Sequence, residues 1–132
     1  MKRSLRRSLT FVAVSLVLLI SCDQDPFGRS TRAVVGDYQL RQWEDFETYY
    51  LDDVKDLHDG GGAIEGVVLR IGWDPHHILV KRRALFGGNE GWMVIDVDSK
   101  AVKGPFTDAE ISSRRDLSGL KVLRADSAWK KL

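Results

Sequence analysis

The sequence holds one cysteine, three prolines and three histidines among its 132 residues. A single sulfur excludes a disulfide scaffold and a thiolate zinc cluster, since both need several cysteines at set spacing. No long hydrophobic run is present: the uncharged stretch from Ser8 to Cys22 spans 15 residues, short of the ~17–25 that a bilayer-spanning helix needs. An excess of one charge is missing as well, with 20 basic against 19 acidic side chains. There is no Gly-x-Ser-x-Gly elbow, no His-Glu-x-x-His pair, and no Lys-Ser or Lys-Thr after the glycines at 60–62, so the patterns for hydrolytic, zinc and phosphate-loop chemistry are lacking. What remains is one modest domain, 43% apolar, with length for one hydrophobic core.

The charges are unevenly placed. Lys2, Arg3, Arg6 and Arg7 precede the apolar run Phe11-Val12-Ala13-Val14-Ser15-Leu16-Val17-Leu18-Leu19-Ile20, the pattern of a secretory signal. That run closes on Leu19-Ile20-Ser21-Cys22, which resembles a bacterial lipobox. The resemblance implies cleavage between Ser21 and Cys22 and a diacylglycerol on the Cys22 thiol. It also implies an acyl chain such as palmitate on the new amino group, and hence anchorage in a membrane lipid leaflet. Several acyl chains anchor stably, because each buried methylene contributes ~0.8 kcal/mol. Asp23 resembles the inner-membrane retention signal of enteric lipoproteins, a rule that differs between bacterial groups and leaves inner or outer membrane open. Loss of residues 1–21 removes four bases and no acid, leaving 16 basic against 19 acidic side chains, net −3. That sign and an exported address disfavour a nucleic-acid binder.

Three segments are therefore expected: a lipoprotein signal peptide at 1–21, a flexible tether at 22–33 too polar to bury a core, and a single domain at 34–132. Alternation and turn residues predict strands over 37–42, 46–51, 64–73, 77–82, 92–97 and 100–103. The third puts Val67, Leu69, Ile71 and Trp73 on one face, and Asp74-Pro75 turns it back as a hairpin. Residues 52–62 read as a polar loop. Thr107-Asp108-Ala109-Glu110 is a capping box, Phe106 and Ile111 have the spacing of a hydrophobic staple, and Gly119 stands where a left-handed C-terminal cap belongs. These predict one helix over 108–118, followed by a final turn that docks Trp129 on the core. The fold class is α+β: a small antiparallel meander of five or six strands with one C-terminal helix. A closed propeller needs more chain than this.

His58 and His76 are the weak metal candidates, together with Asp52, Asp53, Asp56 and Asp59. His76 and His77 are neighbours on a strand and point to opposite faces. The acids do not fit a calcium loop either, since Val54 and Ala63 fall on its third and twelfth positions. The four tryptophans, Trp43, Trp73, Trp92 and Trp129, read as packing rather than a ligand cage. Charge is segregated along the chain: residues 37–65 carry nine acids against Arg41 and Lys55, whereas 66–132 carry 12 bases and 8 acids. Such segregation steers a charged partner or holds two halves of a fold together. Lys81-Arg82-Arg83 reads as a solvated strand end able to face anionic head groups.

The runs Gly62-Ala63-Ile64-Glu65-Gly66-Val67-Val68-Leu69-Arg70-Ile71-Gly72-Trp73-Asp74, Trp92-Met93-Val94-Ile95-Asp96-Val97 and Gly104-Pro105-Phe106-Thr107-Asp108-Ala109-Glu110 resemble short bacterial lipoprotein families of unknown function. That resemblance implies the fold and an envelope address and no mechanism. The expectation is a non-enzymatic envelope lipoprotein without a cofactor, working by contact with another envelope protein as an accessory or immunity-like factor. A small-ligand or metal-binding module using His58 and His76 is the alternative, and a hydrolase ranks last.

Overall fold

The computed structural model describes residues 30–56, 62–85, 87 and 90–132. Among them are strands β1 (Ser30–Val35), β2 (Tyr38–Gln42), β3 (Tyr49–Asp53), β4 (Val67–Trp73), β5 (His77–Arg83), β6 (Gly91–Asp96), β7 (Val102–Phe106) and β8 (Leu123–Arg124), with helices α1 (Asp108–Ser112) and α2 (Ala125–Lys131). The strands form a three-stranded sheet ordered β1-β2-β3 and a five-stranded sheet ordered β7-β6-β5-β4-β8. Every pairing is antiparallel. The class is α+β, as the alternation and the capping box predict, with the meander divided between two sheets.

The division follows from the burial pattern. Leu40 and Leu51 of the small sheet, and Ile71, Ile78, Val80 and Ile95 of the large one, belong to one core that Ala125, Ala128 and Trp129 of α2 complete. Burying each of these Leu, Ile and Val side chains contributes roughly 1.5–3 kcal/mol. On the other face of the large sheet, Leu79, Trp92, Val94 and Leu117 form a second core, with Phe106, Ile111, Leu120 and Val122 against it. The central strands are therefore covered on both faces, which is why 78–80 and 92–95 are continuous apolar runs rather than alternating ones.

Several boundaries differ from the sequence reading. β1 begins at Ser30, inside the segment read as a tether: its side chains are mostly exposed, but an edge strand needs only backbone pairing, here with β2. The second strand starts at Tyr49 rather than 46, and Phe46 sits in the preceding turn at φ +60°. Asp52 and Asp53 belong to β3 and are buried. In β4 a bulge between Val68 and Arg70 interrupts the alternation, so Val68 and Ile71 face the main core while Leu69 is exposed.

The helix predicted over 108–118 ends at Ser112. Its start is as expected: the Thr107 hydroxyl accepts from the Glu110 amide at 3.2 Å. Its end reflects two serines, whose hydroxyls donate back to the Asp108 and Glu110 carbonyls, a local bonding that competes with helix propagation. Arg114 is then extended and a 3-10 turn at Arg115–Leu117 drops Leu117 into the second core. Gly119 is not left-handed. Gly104 does require its freedom: it sits at φ +132°, and a Cβ there would lie 2.5 Å from the Trp92 carbonyl oxygen. The final turn is the helix α2, with Trp129 buried against Tyr49 at 5.9 Å between ring centres.

Candidate functional site

Ser21, Cys22 and His58 lie outside the described residues. Among the described residues no three His, Cys, Asp or Glu side chains are grouped as metal ligands. His76, the other metal candidate, is exposed, with Nδ1 3.0 Å from Asp98 Oδ2. Asp74 beside it is engaged with backbone, its Oδ1 accepting from the amides of His76 and His77 at 2.8 and 2.6 Å. No helix among the described residues is long and apolar enough to cross a membrane.

Of the four nominated acids, Asp52 and Asp53 are drawn into ion pairs, and Asp59 lies outside the described residues. Arg41 Nε donates to Asp52 Oδ2 at 2.5 Å and its Nη2 to Oδ1 at 3.1 Å, a bidentate pair across β2 and β3. The same guanidinium lies over the Tyr50 ring at 4.8 Å. Asp53, 6% exposed, receives Lys100 Nζ at 2.8 Å, and Lys100 also lies 3.2 Å from Asp37 Oδ2. Lys100 comes from the turn between β6 and β7, at φ +63°, so this contact joins the two sheets. The Lys100 bond, followed by the Lys55 amide, holds the Asp53 carboxyl below its ordinary value. Asp53 reciprocally raises Lys100. Part of the charge segregation seen in the sequence thus holds the halves of the fold together. At this end the turns also gather Asp74, Asp96 and Asp98, Asp96 capping its own turn through the Ser99 amide at 2.8 Å.

The outer face of the large sheet is different. Register places Arg124 opposite Arg70, Arg70 opposite Lys81, Lys81 opposite Trp92, and Trp92 opposite Phe106. Directly opposed residues share a face, so three cations and two aromatics form one row across five strands. Arg83 joins it two residues beyond Lys81. Asp108 is the acid seated in the row: it accepts Trp92 Nε1 at 2.6 Å and Lys81 Nζ at 3.3 Å. These two bonds, Trp92 first, hold its carboxyl below the ordinary value, and the charge of Arg70 adds to them. Asp126 is 3.3 Å from Arg124. Arg82 between Lys81 and Arg83 turns inward, donating to the Glu65 carbonyl at 2.8 Å, so the run Lys81-Arg82-Arg83 is split between two faces.

Arg83 and Arg124 also border a groove of 660 Å³ shared with Phe46, Leu69, Trp129 and Lys130. Sequence reading missed both the row and the groove. The row is visible only once the bulge in β4 sets Arg70 opposite Lys81, and the groove depends on where α2 docks. The chain matches no protein-family model, no curated protein and no solved structure.

Proposed function

We propose that this chain is an envelope lipoprotein, anchored through acylated Cys22 and working without catalysis, by contact with another envelope protein. The observation that carries the reading is the Leu19-Ile20-Ser21-Cys22 segment closing a short apolar run behind a basic start. The described fold adds support. Its first strand begins at Ser30, eight residues after Cys22, so an extended link reaches at most roughly 28 Å and keeps the domain close to its anchor. Carboxylates of Asp37, Asp74, Asp96 and Asp98 lie around one end of the fold, a surface suited to steering a cationic partner.

The anchor is tested by acyl labelling in cells. Cys22→Ala abolishes labelling and leaves unprocessed precursor; continued labelling of that variant overturns the assignment. The contact is tested by pull-down from detergent-solubilised membranes at low and moderate salt, where the intact protein recovers one specific partner. A pull-down yielding none counts against the contact.

A further inference from the structure

We infer that the cationic row on the outer face of the large sheet, with the groove beside it, docks the domain onto an anionic lipid surface. The assignment to lipid rests on the anchorage proposed above. The charge is the first argument. Arg124, Arg70 and Lys81 are cross-strand neighbours, separated by strand spacings of ~4.8 Å, and like charges directly opposed destabilise a sheet. Asp108, Asp126 and Glu90 lie around the row, yet Arg70, Arg83 and Arg124 remain exposed. An array of guanidinium groups open to solvent is matched to phosphate, which they bind in bidentate fashion.

The apolar groups are the second argument, and they separate a lipid surface from an acidic protein segment. Phe46 is 74% exposed, although it occupies a left-handed conformation at φ +60° that is costly for a residue other than glycine. Leu69, pushed out by the bulge, is also exposed. Both line the groove with Arg83, Arg124 and Lys130. Cations beside protruding apolar side chains suit the headgroup boundary, where the charge meets phosphate and the apolar groups enter the acyl region. Position is the third argument. Ser30 pairs with Gln42, which lines the same groove, so the chain leads toward Cys22 from this side of the molecule.

The test uses the chain from Asp23 onward, without acyl groups; the described residues begin at Ser30, so this chain carries the whole described fold. Sedimentation is measured with phosphatidylcholine vesicles, with vesicles that include phosphatidylglycerol, and against soluble poly-glutamate. Binding to the phosphatidylglycerol vesicles that weakens with added salt is expected. Arg70→Glu is expected to weaken it about tenfold or more without lowering Tm, because the new carboxylate sits between Arg124 and Lys81. Phe46→Gly, which suits the left-handed turn, weakens vesicle binding and likewise preserves Tm. Equal or absent binding to both vesicle types, or Arg70→Glu binding like the unaltered chain, overturns the inference. Binding to poly-glutamate without binding to vesicles overturns it in favour of an acidic protein. Because no acyl chain is present, each of these failures is distinguishable from a failed labelling at Cys22.

Discussion

The two faces of the five-stranded sheet solve the same problem with different materials. The inner face is closed by a second sheet and by α2, and its contacts are apolar from Leu40 to Trp129. The outer face is closed only in part, by the segment carrying α1 and the 3-10 turn, and its open part is the cationic row. Where covering is complete, side chains answer to packing; where it stops, like charges stand side by side at some cost to the sheet. Core packing and surface chemistry thus fall on neighbouring residues of the same strands, Ile71 and Val80 inside and Arg70 and Lys81 outside.

The largest test of this difference is cavity formation on each face. Ile71→Ala, at a fully buried site of the inner core, is expected to cost about 4 kcal/mol, and Leu117→Ala about 2 kcal/mol, both within the range for large-to-small substitutions. The second site lies in a short 3-10 turn that is free to relax into the space left behind. Urea denaturation with unchanged slope measures both; equal losses would show that the outer cover is as rigid as the inner one.

Next in size is the tie between the sheets. Lys100→Met leaves Asp53 buried without its cation, and Tm at neutral pH falls. The carboxyl of Asp53 is held below 3.8 in the folded chain, so its contribution is present above that ordinary value and is lost as pH falls through the lowered one. Lys100 is raised above 10.5, so its part is present below 10.5 and lost as pH rises through the raised value. The gap in Tm between the two proteins is therefore steady between these limits and narrows in acid. A gap that is the same at pH 2 as at pH 7 would refute the electrostatic account of this contact.

A smaller effect of opposite sign is expected on the outer face. Arg70→Glu exchanges two like-charge neighbours for two opposite ones, gives up the weaker attraction to Asp108, and stabilises the fold by less than ~1 kcal/mol at low salt, the gain shrinking as salt screens it. A loss of stability would mean that Arg70 is held by contacts that outweigh the repulsion.

Much of the fold was legible because local chemistry and tertiary structure agreed. The capping box at Thr107, the hairpin turned at Asp74-Pro75 and the docking of Trp129 each arise from residues that settle their own geometry. The misread places are those where a distant element decides. Ser30 to Ala33 look like linker, since an edge strand with exposed side chains has no hydrophobic signature; only its pairing with β2 defines it. Asp52 and Asp53 look like a solvated loop because acids are seldom buried, and here Arg41 and Lys100 compensate them from elsewhere in the chain. The alternation of 64–73 fails at Leu69 because a bulge inserts one residue, and a shift by one exchanges the faces. The candidate surface inherits that difficulty: Arg70 and Lys81 are eleven positions apart in the sequence, and nothing but the bulged register makes them neighbours.

The smallest effect concerns His76, at the same end of the sandwich as Lys100. Its ring meets Asp98 across the two turns that close this end, and both side chains are well exposed, so solvent screens the pair and little stability depends on it. Its signature is a titration rather than a melting temperature. The Asp98 hydrogen bond, then its charge, raise His76 above 6.5, so the pair is complete below 6.5 and dissolves as pH rises through the raised value. In Asp98→Asn the imidazole is expected to titrate lower than in the unaltered chain, while Asp74 and Asp96 still act on it, followed by the ring proton shifts in NMR, with Tm unchanged. If the titration of His76 is indifferent to Asp98, the two turns are held together by the Val97 amide and His76 carbonyl bond at 2.8 Å, and Lys100 is then the side chain whose charge decides how this end responds to pH.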